Sequence, residues 1–572
     1  MNRTPINFDE LFAHLQDLRI PGLSIREKEF SEMRDTLCKD MAVFLYKQQR
    51  PLIWAVFTGG TGTGKSSLFN SLCGSSISRV GMERPTTAAP VVYIHENNSL
   101  DAFPLPDFRI EYAPDGEGTQ TNETDNGRRL IVVTHNRDDL EHIVLVDNPD
   151  LDSLEHEHRR IAEDLDRLSD VIIFVASQEK YADEIPSRTL DRIDREGKPC
   201  FFLFNKADPA HTSEEIVDFF RQRGITINRD RLWFIPYIPT PSLHSLSGQN
   251  GFARFSECFF ETLRKETSVS LLIEQKRQRR AHLKRSIDSF HGLAERENKA
   301  GERWLGRLDQ LFKEQGSNLF EQFEAHFKRD SQNHIQREIK NIYNRYDILS
   351  KPRHYLKQLF LVPLRLLGLR ENNPGGTSRK VLLAVKKQAD ITPILSTMSG
   401  LNRLVLENLS PEDNDSSLFS ELHRHELPIS DQEVRDRIGQ LQGQLMGWLE
   451  ARFRDLARGI PKHKEVGIYS TAILWGGLIL SFEIVLGGGI TFIEMALDSF
   501  LAPLVTKSSV NLFAFHEIQG IARELDKKYK EGILNILEEQ KGRYVSCLEP
   551  FLIPEETMVW LSGLKGRLGD TR

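Results

Sequence analysis

A chain of 572 residues with 27% charged and 39% hydrophobic side chains has the composition of a globular protein, and its length predicts two to four domains. The net charge of -7 provides no overall basic field, so we expect no nucleic-acid partner. Five scattered cysteines without a paired motif favour a reducing compartment and exclude a cysteine-based metal site. The first residues lack the basic-then-apolar pattern of a secretory signal, so we expect a cytoplasmic protein.

Residues 27–47 carry apolar side chains at three- and four-residue spacing, which predicts a helix. This helix could lie on the sheet of the domain that follows, or it could join a helix bundle that later segments complete. We assign residues 1–50 to an N-terminal bundle element and leave the two packing alternatives open.

An apolar run at residues 53–57 has strand composition and leads into Gly-x-x-x-x-Gly-Lys-Ser at residues 59–66. In such a loop the glycines let backbone N–H groups face phosphate, the lysine reaches the β- and γ-phosphates, and the serine hydroxyl can ligate Mg²⁺. A helix from about Ser67 follows, as the pattern requires. We expect Lys65 to take part in catalysis and Ser66 to bind the metal. The predicted phosphate-binding residues are Gly59, Gly60, Thr61, Gly62, Thr63, Gly64, Lys65, Ser66 and Ser67.

Two threonines, Thr86 and Thr87, follow Lys65 by about twenty residues. In nucleotide-dependent switches a threonine at this place ligates Mg²⁺ and senses the γ-phosphate. Thr87 is our first choice for this metal-binding and catalytic role, and Thr86 is the second.

Residues 91–95, 130–133 and 143–146 have the composition of strands, whereas residues 97–128 are rich in loop-forming residues. The last of these strands ends in Asp147-Asn148-Pro149-Asp150. An aspartate at the carboxyl end of a buried strand, in a chain with a phosphate loop, predicts a carboxylate of the Mg²⁺ site. Asp147 is therefore the third predicted metal-binding residue.

Two apolar runs, residues 171–176 and 200–204, predict parallel strands that are covered on both faces. The second leads into Asn205-Lys206-Ala207-Asp208. A carboxylate at Asp208 can accept hydrogen bonds from guanine N1–H and the exocyclic amine together, and adenine offers no such donor pair. Asn205 can bond N7 of the base and connect the loops, and the stem of Lys206 can cover the ring. Residues 233–237 predict the last strand.

These motifs, in this order, resemble those of the translation-factor-like class of GTPases over about residues 50–240. Arg84-Pro85-Thr86-Thr87, the preceding helix and the long helical tail look like the dynamin-like branch, which includes bacterial dynamin-like proteins and mitofusins. The resemblance implies an α/β P-loop GTPase domain with a mostly parallel sheet at residues 51–262. It also implies that GTP or GDP binds with Mg²⁺, that GTP is hydrolysed, and that two copies dimerise through this domain.

Four positions depart from the family pattern. Dynamins carry a glutamine–serine pair within the phosphate loop, where this chain has Thr61-Gly62. Asp150 stands where these GTPases usually carry glycine, which adds a negative charge and removes the freedom of glycine at positive φ. Leu151 stands where many small GTPases carry the glutamine that orients water. The alternative function is therefore a soluble GTP-binding switch or scaffold that hydrolyses slowly and recruits a protein partner.

From about Glu266 apolar residues recur at helical spacing, which predicts an extended all-α bundle or coiled-coil stalk at residues 263–460. The basic run at residues 276–285 could meet nucleic acid or anionic lipid, although such runs are usually solvated helix faces. The basic, apolar segment at residues 351–370 could lie at a membrane interface. Ser430 and Glu433 form a capping box that opens another helix.

Residues 466–482 are seventeen residues without a charge, and three glycines at 487–489 follow. A bilayer crossing needs about 20 mostly apolar residues, so we expect residues 461–507 to form a helical hairpin that dips into a membrane. The alternative is a buried helix pair. Residues 508–572 predict a helix that returns toward the nucleotide domain, and membrane contact would place the protein at the inner face of a membrane.

Overall fold

The computed structural model describes the following parts of the chain: residues 12, 14–78, 89–105, 107–113, 128–150, 156–177, 190, 193, 196–207, 213–222, 227–238, 246, 248–330, 391–458 and 511–569. These residues divide into two compact units. The first contains residues from the ranges Met1–Leu18, Glu29–Ala294 and Pro554–Arg572, and the second contains residues from Arg19–Lys28 and Glu295–Ile553.

The first unit is built on an eight-stranded sheet in the order β3-β4-β2-β5-β1-β6-β7-β8. Six of the seven strand pairs are parallel, and only β2 and β5 run antiparallel. The mostly parallel sheet that the motifs predicted is therefore confirmed. The strands are β1 (Ile53–Gly59), β2 (Val91–His95), β3 (Phe108–Ala113), β4 (Arg128–His135), β5 (Ile143–Asp147), β6 (Val171–Ser177), β7 (Cys200–Ala207) and β8 (Leu232–Pro236).

Helices cover both faces of this sheet, which is why its central strands are continuous apolar runs. Every residue of β1, β5 and β6 is buried. On one face, Trp54 and Val56 pack with α3 (His156–Leu168) and α4 (Ser213–Gln222). On the other face, Ile53 and Phe57 pack with α2 (Lys65–Cys73) and α5 (Asn250–Thr262).

Strand β3 lies in the region that the sequence predicted to be loop, so that prediction is wrong for residues 108–113. The strand pairs with β4 at the edge of the sheet, with Ile110 opposite Leu130. Its first four residues, Phe108 to Glu111, alternate between apolar and charged side chains, and this alternation is typical of a half-buried edge strand.

The N-terminal helix α1 (Glu27–Gln49) packs on the sheet through its C-terminal half, since Val43 and Tyr46 join the core beside Trp54. Near its other end, the Phe30 ring lies 5.0 Å from the ring of Phe290 in α6 (Lys265–Asp330). Helix α1 thus contacts both the sheet and a later helix.

Two arginines of the basic run at residues 276–285 connect parts of the first unit through hydrogen bonds. Arg279 donates to the backbone oxygens of Arg167 and Leu168, at 2.8 Å and 2.9 Å, and to the Asp170 carboxylate at 2.9 Å. Arg280 donates to the carbonyl oxygens of Arg567 and Leu568, both at 2.7 Å. The prediction of a solvated or ligand-binding basic face is therefore wrong for these two residues.

The second unit is helical, and its core is one hydrophobic cluster. Leu308 of α6 packs with Leu401, Ile438 and Ile533 from three later helices. The Ser430–Glu433 capping box is confirmed, because Ser430 N–H donates to Glu433 at 2.8 Å and Glu433 N–H donates to Ser430 Oγ at 3.3 Å. The remaining helices are α7 (Thr392–Leu409), α8 (Ser417–Leu422), α9 (Asp431–Arg458), α10 (Asn511–Leu548) and, in the first unit, α11 (Glu555–Gly569).

The segment at residues 19–28 belongs to the second unit through a buried carboxylate. Glu297 is fully buried and accepts hydrogen bonds from the backbone N–H groups of Leu23, at 2.6 Å, and Ser24, at 2.8 Å. Of the helices that the structure describes, none is long and apolar enough to span a bilayer. The predicted hairpin at residues 461–507 and the segment at 351–370 lie outside the described residues.

Candidate nucleotide-binding site

The carboxyl ends of four neighbouring strands, β5, β1, β6 and β7, lie at one edge of the sheet. The register shows this directly, because Phe57 pairs with Asp147, Gly59 with Val175, and Ser177 with Asn205. Ligands bind at this edge of parallel sheets because loops and helix N-termini converge there. The motifs found in the sequence therefore meet in space.

The loop after β1 turns tightly at residues 60–64 and ends at the first residue of α2. Thr63 closes the turn, since its Oγ1 donates to the Gly60 oxygen at 2.9 Å. Gly62 and Gly64 have φ values of 74° and 93°, which side chains other than glycine rarely adopt. This backbone has the form that directs amide groups toward a bound phosphate.

Two loop glycines are also required by their neighbours. A Cβ on Gly59 would lie 2.1 Å from the Val175 oxygen of β6, and a Cβ on Gly64 would lie 2.4 Å from Nδ2 of Asn205. Alanine at position 59 would require the backbone of β6 to shift, and alanine at position 64 would require the Asn205 side chain to move. The glycines thus allow the phosphate loop to approach β6 and β7 closely.

Lys65, the first residue of α2, is buried, and its ammonium group points back at the loop. Nζ donates to the Gly59 oxygen at 3.1 Å, to the Gly60 oxygen at 3.0 Å, and to the Asp150 carboxylate. The Lys65 side chain is 5% exposed, and that of Asp150 is 18% exposed. The sequence singled out both residues but did not predict that they form an ion pair.

Asp147 lies at the end of β5 and is completely buried. Its Oδ2 accepts hydrogen bonds from the hydroxyls of Ser66 and Ser78, both at 2.6 Å. Burial raises the pKa of the Asp147 carboxyl, while hydrogen bonds from the two serines and the charge of Lys65 act in the opposite direction. Among the described residues, no donor reaches Oδ1.

A divalent cation fits this arrangement. Mg²⁺ prefers oxygen ligands, and here a serine hydroxyl and a carboxylate with an unpartnered buried oxygen lie within hydrogen-bond distance of each other. Predicted metal-binding residues Ser66 and Asp147 are therefore brought together. Thr86 and Thr87 lie outside the described residues.

Ser78 is a residue that the sequence analysis missed. It is 3% exposed, and Asn70 of α2 holds its backbone at both ends, with Asn70 Nδ2 2.7 Å from the Ser78 oxygen and Ser78 N–H 2.8 Å from Asn70 Oδ1. This anchoring aims the Ser78 hydroxyl at Asp147. No short motif contains Asn70 and Ser78, so only the fold reveals their connection to the site.

Asn205 and Lys206 connect the end of β7 to the phosphate loop. Asn205 Nδ2 donates to the Thr63 oxygen at 2.8 Å, and Lys206 Nζ donates to the Gly62 oxygen at 2.7 Å. Lys206 has a positive φ of 57°, which few residues other than glycine adopt. Of the two roles considered for Asn205, the structure shows the one that joins the loops. Asp208 lies outside the described residues.

Comparison with known proteins supports a nucleotide-binding role for the part of the chain that contains the phosphate loop. Residues 55–206 match the family model described as 50S ribosome-binding GTPase. No curated protein sequence matches the chain. The matched residues contain the phosphate loop, Asp147 and Asn205, and they form a P-loop GTPase domain.

Solved structures similar to this chain include the following three. Two come from the study of an oligomerised bacterial dynamin pair described as providing a mechanism for long-range sensing and tethering of membranes. They are 14% and 16% identical to this chain, cover 70% and 79% of it and 74% and 81% of their own lengths, and have TM-scores of 0.26 and 0.27. The third is Toc33 from Arabidopsis thaliana in complex with Mg²⁺ and GMPPNP, with 16% identity, 46% of this chain and 98% of Toc33 covered, and a TM-score of 0.23. Scores at this level do not establish a shared overall structure.

Proposed function

We propose that this chain, in which residues 55–206 form a P-loop GTPase domain, hydrolyses GTP to GDP and phosphate. One observation carries the proposal. The loop expected to hold phosphate and the motif expected to read guanine are joined by direct hydrogen bonds, from Asn205 to Thr63 and from Lys206 to Gly62. This proximity supports a single nucleotide that contacts both motifs.

In this proposal the chain contributes positioning and charge. Lys65 neutralises phosphate oxygens, and the amides of residues 60–67 hold the phosphates in place. Ser66 and Asp147, together with Thr87, hold Mg²⁺, which when bound stabilises the negative charge that develops during phosphoryl transfer. Asp208 selects guanine, and Asn205 fixes the end of β7, just before Asp208 in the sequence, to the phosphate loop.

The direct test is GTP turnover by the full chain, measured as phosphate release. Lys65→Ala should abolish turnover, because the loop then lacks its phosphate-neutralising cation. Lys276→Ala removes an exposed lysine of α6 and serves as the matched control. Asp208→Asn should shift the preference from guanine toward xanthine nucleotides. Equal competition by ATP and GTP would contradict the assigned role of Asp208.

A slowly hydrolysing switch or scaffold is the second candidate function, and the Lys65–Asp150 ion pair favours it. A carboxylate that is paired with the phosphate-binding lysine opposes hydrolysis, because the lysine is then not free to neutralise the γ-phosphate. Turnover with and without liposomes separates the two candidates. Turnover that liposomes stimulate supports the enzyme, and binding without turnover in either condition supports the switch.

We also propose that the nucleotide state is coupled to the helical region, that two copies dimerise through the GTPase domain, and that residues 461–507 contact a membrane. Coupling follows from the ordering of loops by the γ-phosphate that nucleotide switches use. Hydrogen exchange in the helices α7 to α10, compared between GDP and a non-hydrolysable GTP analogue, tests it. Equal exchange with both nucleotides would contradict coupling, and a monomer in both states by light scattering would contradict dimerisation.

A further inference from the structure

Lys65 uses all the hydrogen-bonding capacity of its ammonium group inside the protein. An ammonium group has three N–H donors, and the structure gives Lys65 Nζ three acceptors, namely the oxygens of Gly59 and Gly60 and the carboxylate of Asp150. A phosphate that reaches Lys65 must therefore replace at least one of these acceptors.

The three acceptors differ in what their replacement costs. The carbonyl oxygens of Gly59 and Gly60 are neutral, whereas Asp150 is the only charged hydrogen-bond partner of Lys65 Nζ among the described residues. Replacement of Asp150 leaves a partly buried carboxylate beside the incoming phosphate, and two like charges at short range repel each other. Replacement of a carbonyl leaves Asp150 paired with the ammonium group, so the negative charge of Asp150 stays compensated while phosphate binds.

Because of the position of Asp150, the cost of separating it from Lys65 depends on whether the nucleotide carries a γ-phosphate. Asp150 comes three residues after Asp147, the carboxylate of the predicted metal site, and the lysine of a phosphate loop serves both the β- and the γ-phosphate. A β-phosphate can take the donors that point at the loop carbonyls while Asp150 keeps its own. A γ-phosphate adds one more charge and needs the donor that Asp150 holds.

We propose that Asp150 sets the nucleotide preference of this site, by holding Lys65 in a latch that a γ-phosphate must open. The latch, defined as the Lys65–Asp150 ion pair, is closed in this structure. GDP binds with the latch closed, whereas GTP binds only after Asp150 leaves Lys65. The site is thereby biased toward GDP relative to a site with a neutral residue at position 150. This inference rests on the proposed function, because it takes guanine nucleotides as the ligands.

The test compares the full chain with Asp150→Asn and Asp150→Gly. Asparagine keeps the size of the side chain and removes its charge, and glycine restores the residue usual for related GTPases. Asp101→Asn is the matched control, because Asp101 is exposed and follows β2 in the chain. Strand β2 runs antiparallel to β5. Its first residue pairs with Asp147, so its last residue lies toward the opposite edge of the sheet. Affinities for a fluorescent GDP and a fluorescent non-hydrolysable GTP analogue are measured for all four proteins in the presence of Mg²⁺.

Both Asp150 variants should bind the GTP analogue about tenfold more tightly than the unaltered chain, a change of about 1.4 kcal/mol. Their affinity for GDP should change by less than about threefold, and Asp101→Asn should behave like the unaltered chain. A ratio of the two affinities that is the same in all four proteins overturns the latch. So does weaker binding of the GTP analogue by both Asp150 variants, which would make Asp150 a ligand-binding residue.

The outcomes also separate the latch from the proposed function. If the unaltered chain and the variants all bind guanine nucleotides with one common preference, the latch fails and the function stands. If none of the four binds either nucleotide, although each shows the same thermal unfolding as the unaltered chain, the proposed function fails and the latch fails with it.

Discussion

Two separate physical requirements favour glycine over any other residue at position 64. Its φ of 93° is unfavourable for any side chain, and a Cβ would lie 2.4 Å from Asn205 Nδ2. Gly74, at the other end of α2, meets only the first requirement, since its φ is 77° and, among the described residues, no atom lies within 4 Å of the place that a Cβ would occupy. A comparison of the two positions therefore separates the effect of backbone strain from the effect of contact with Asn205.

Substitution of each glycine by alanine tests this distinction. Both variants should lose about 1–2 kcal/mol of stability from the left-handed backbone. Gly64→Ala should in addition displace Asn205 and weaken guanine-nucleotide binding at least about tenfold, whereas Gly74→Ala should bind nucleotide normally. Chemical denaturation and nucleotide titration measure the two effects. Equal nucleotide affinity in the two variants would show that the Asn205 contact has no part in binding.

His135 gives the first unit a pH-dependent stability. It is buried at the end of β4, where its ring lies 4.2 Å from Tyr93 and 5.4 Å from His95. Burial, and then the nearby His95 and Arg137, lower the pKa of His135 from 6.5 to about 4. Between these two pH values the unfolded chain binds a proton that the folded protein does not bind.

The free energy of unfolding should therefore fall as the pH drops from 6.5 to about 4, and this contribution should be fully present above pH 6.5. His135→Gln should reduce the slope in this window by up to about 1.4 kcal/mol per pH unit. His425→Gln, at an exposed position, provides the control. Denaturation midpoints at several pH values measure the slope, and an unchanged slope in His135→Gln would rule out this contribution.

At the scale of elements, Asp170 connects the start of β6 with two helices. It is buried, and it accepts from Lys47 of α1, from Arg279 of α6 at 2.9 Å, and from the Trp54 N–H of β1 at 2.8 Å. Burial raises the pKa of Asp170, but the charges of Lys47 and Arg279 outweigh it and hold the pKa below its usual value. The carboxylate thus stays charged in the interior and ties α1 and α6 to the sheet.

Asp170→Asn should destabilise the first unit by about 3–5 kcal/mol, because it leaves the buried Lys47 without its anionic partner. Asp218→Asn makes the same chemical change in α4, where the ion pair with Arg221 at 2.7 Å is exposed, and should cost at most about 1 kcal/mol. Urea denaturation compares the two variants. If Asp170→Asn loses no more stability than Asp218→Asn, the ion pairs of Asp170 do not stabilise the packing of α1 and α6 on the sheet.

The sequence predicted elements well where local pattern and burial agree. Strands β1, β5, β6 and β7 are apolar runs because helices cover them on both faces, and the motif residues follow directly from their ends. Edge strand β3 was missed because its half-buried pattern is short and lies within a polar region. The Ser78–Asp147 bond and the Lys65–Asp150 pair were missed because each joins residues far apart in the chain.

At the scale of the whole molecule, the GTPase domain and the helical second unit contribute different kinds of information. The GTPase domain contains motifs whose chemistry can be inferred from individual residues. The second is built from apolar positions at helical spacing, such as Leu401 and Ile533, and these specify a packed core without naming a ligand. A function for the helical region must therefore be found from its behaviour in the full chain.

Membrane contact is the part of that behaviour most open to a direct test, because it rests on one segment, residues 461–507. Its uncharged run of residues 466–482 is near the lower limit for a bilayer crossing and suits a hairpin that inserts partway. The full chain should float with liposomes, and a chain that lacks residues 462–507 should remain at the bottom of the gradient. Each is tested with GDP and with a non-hydrolysable GTP analogue, after circular dichroism has shown that the shortened chain keeps its helices. If both chains float equally, another segment binds the membrane. If neither floats, the apolar run is better explained as the buried helix pair, because a packed core withdraws it from lipid.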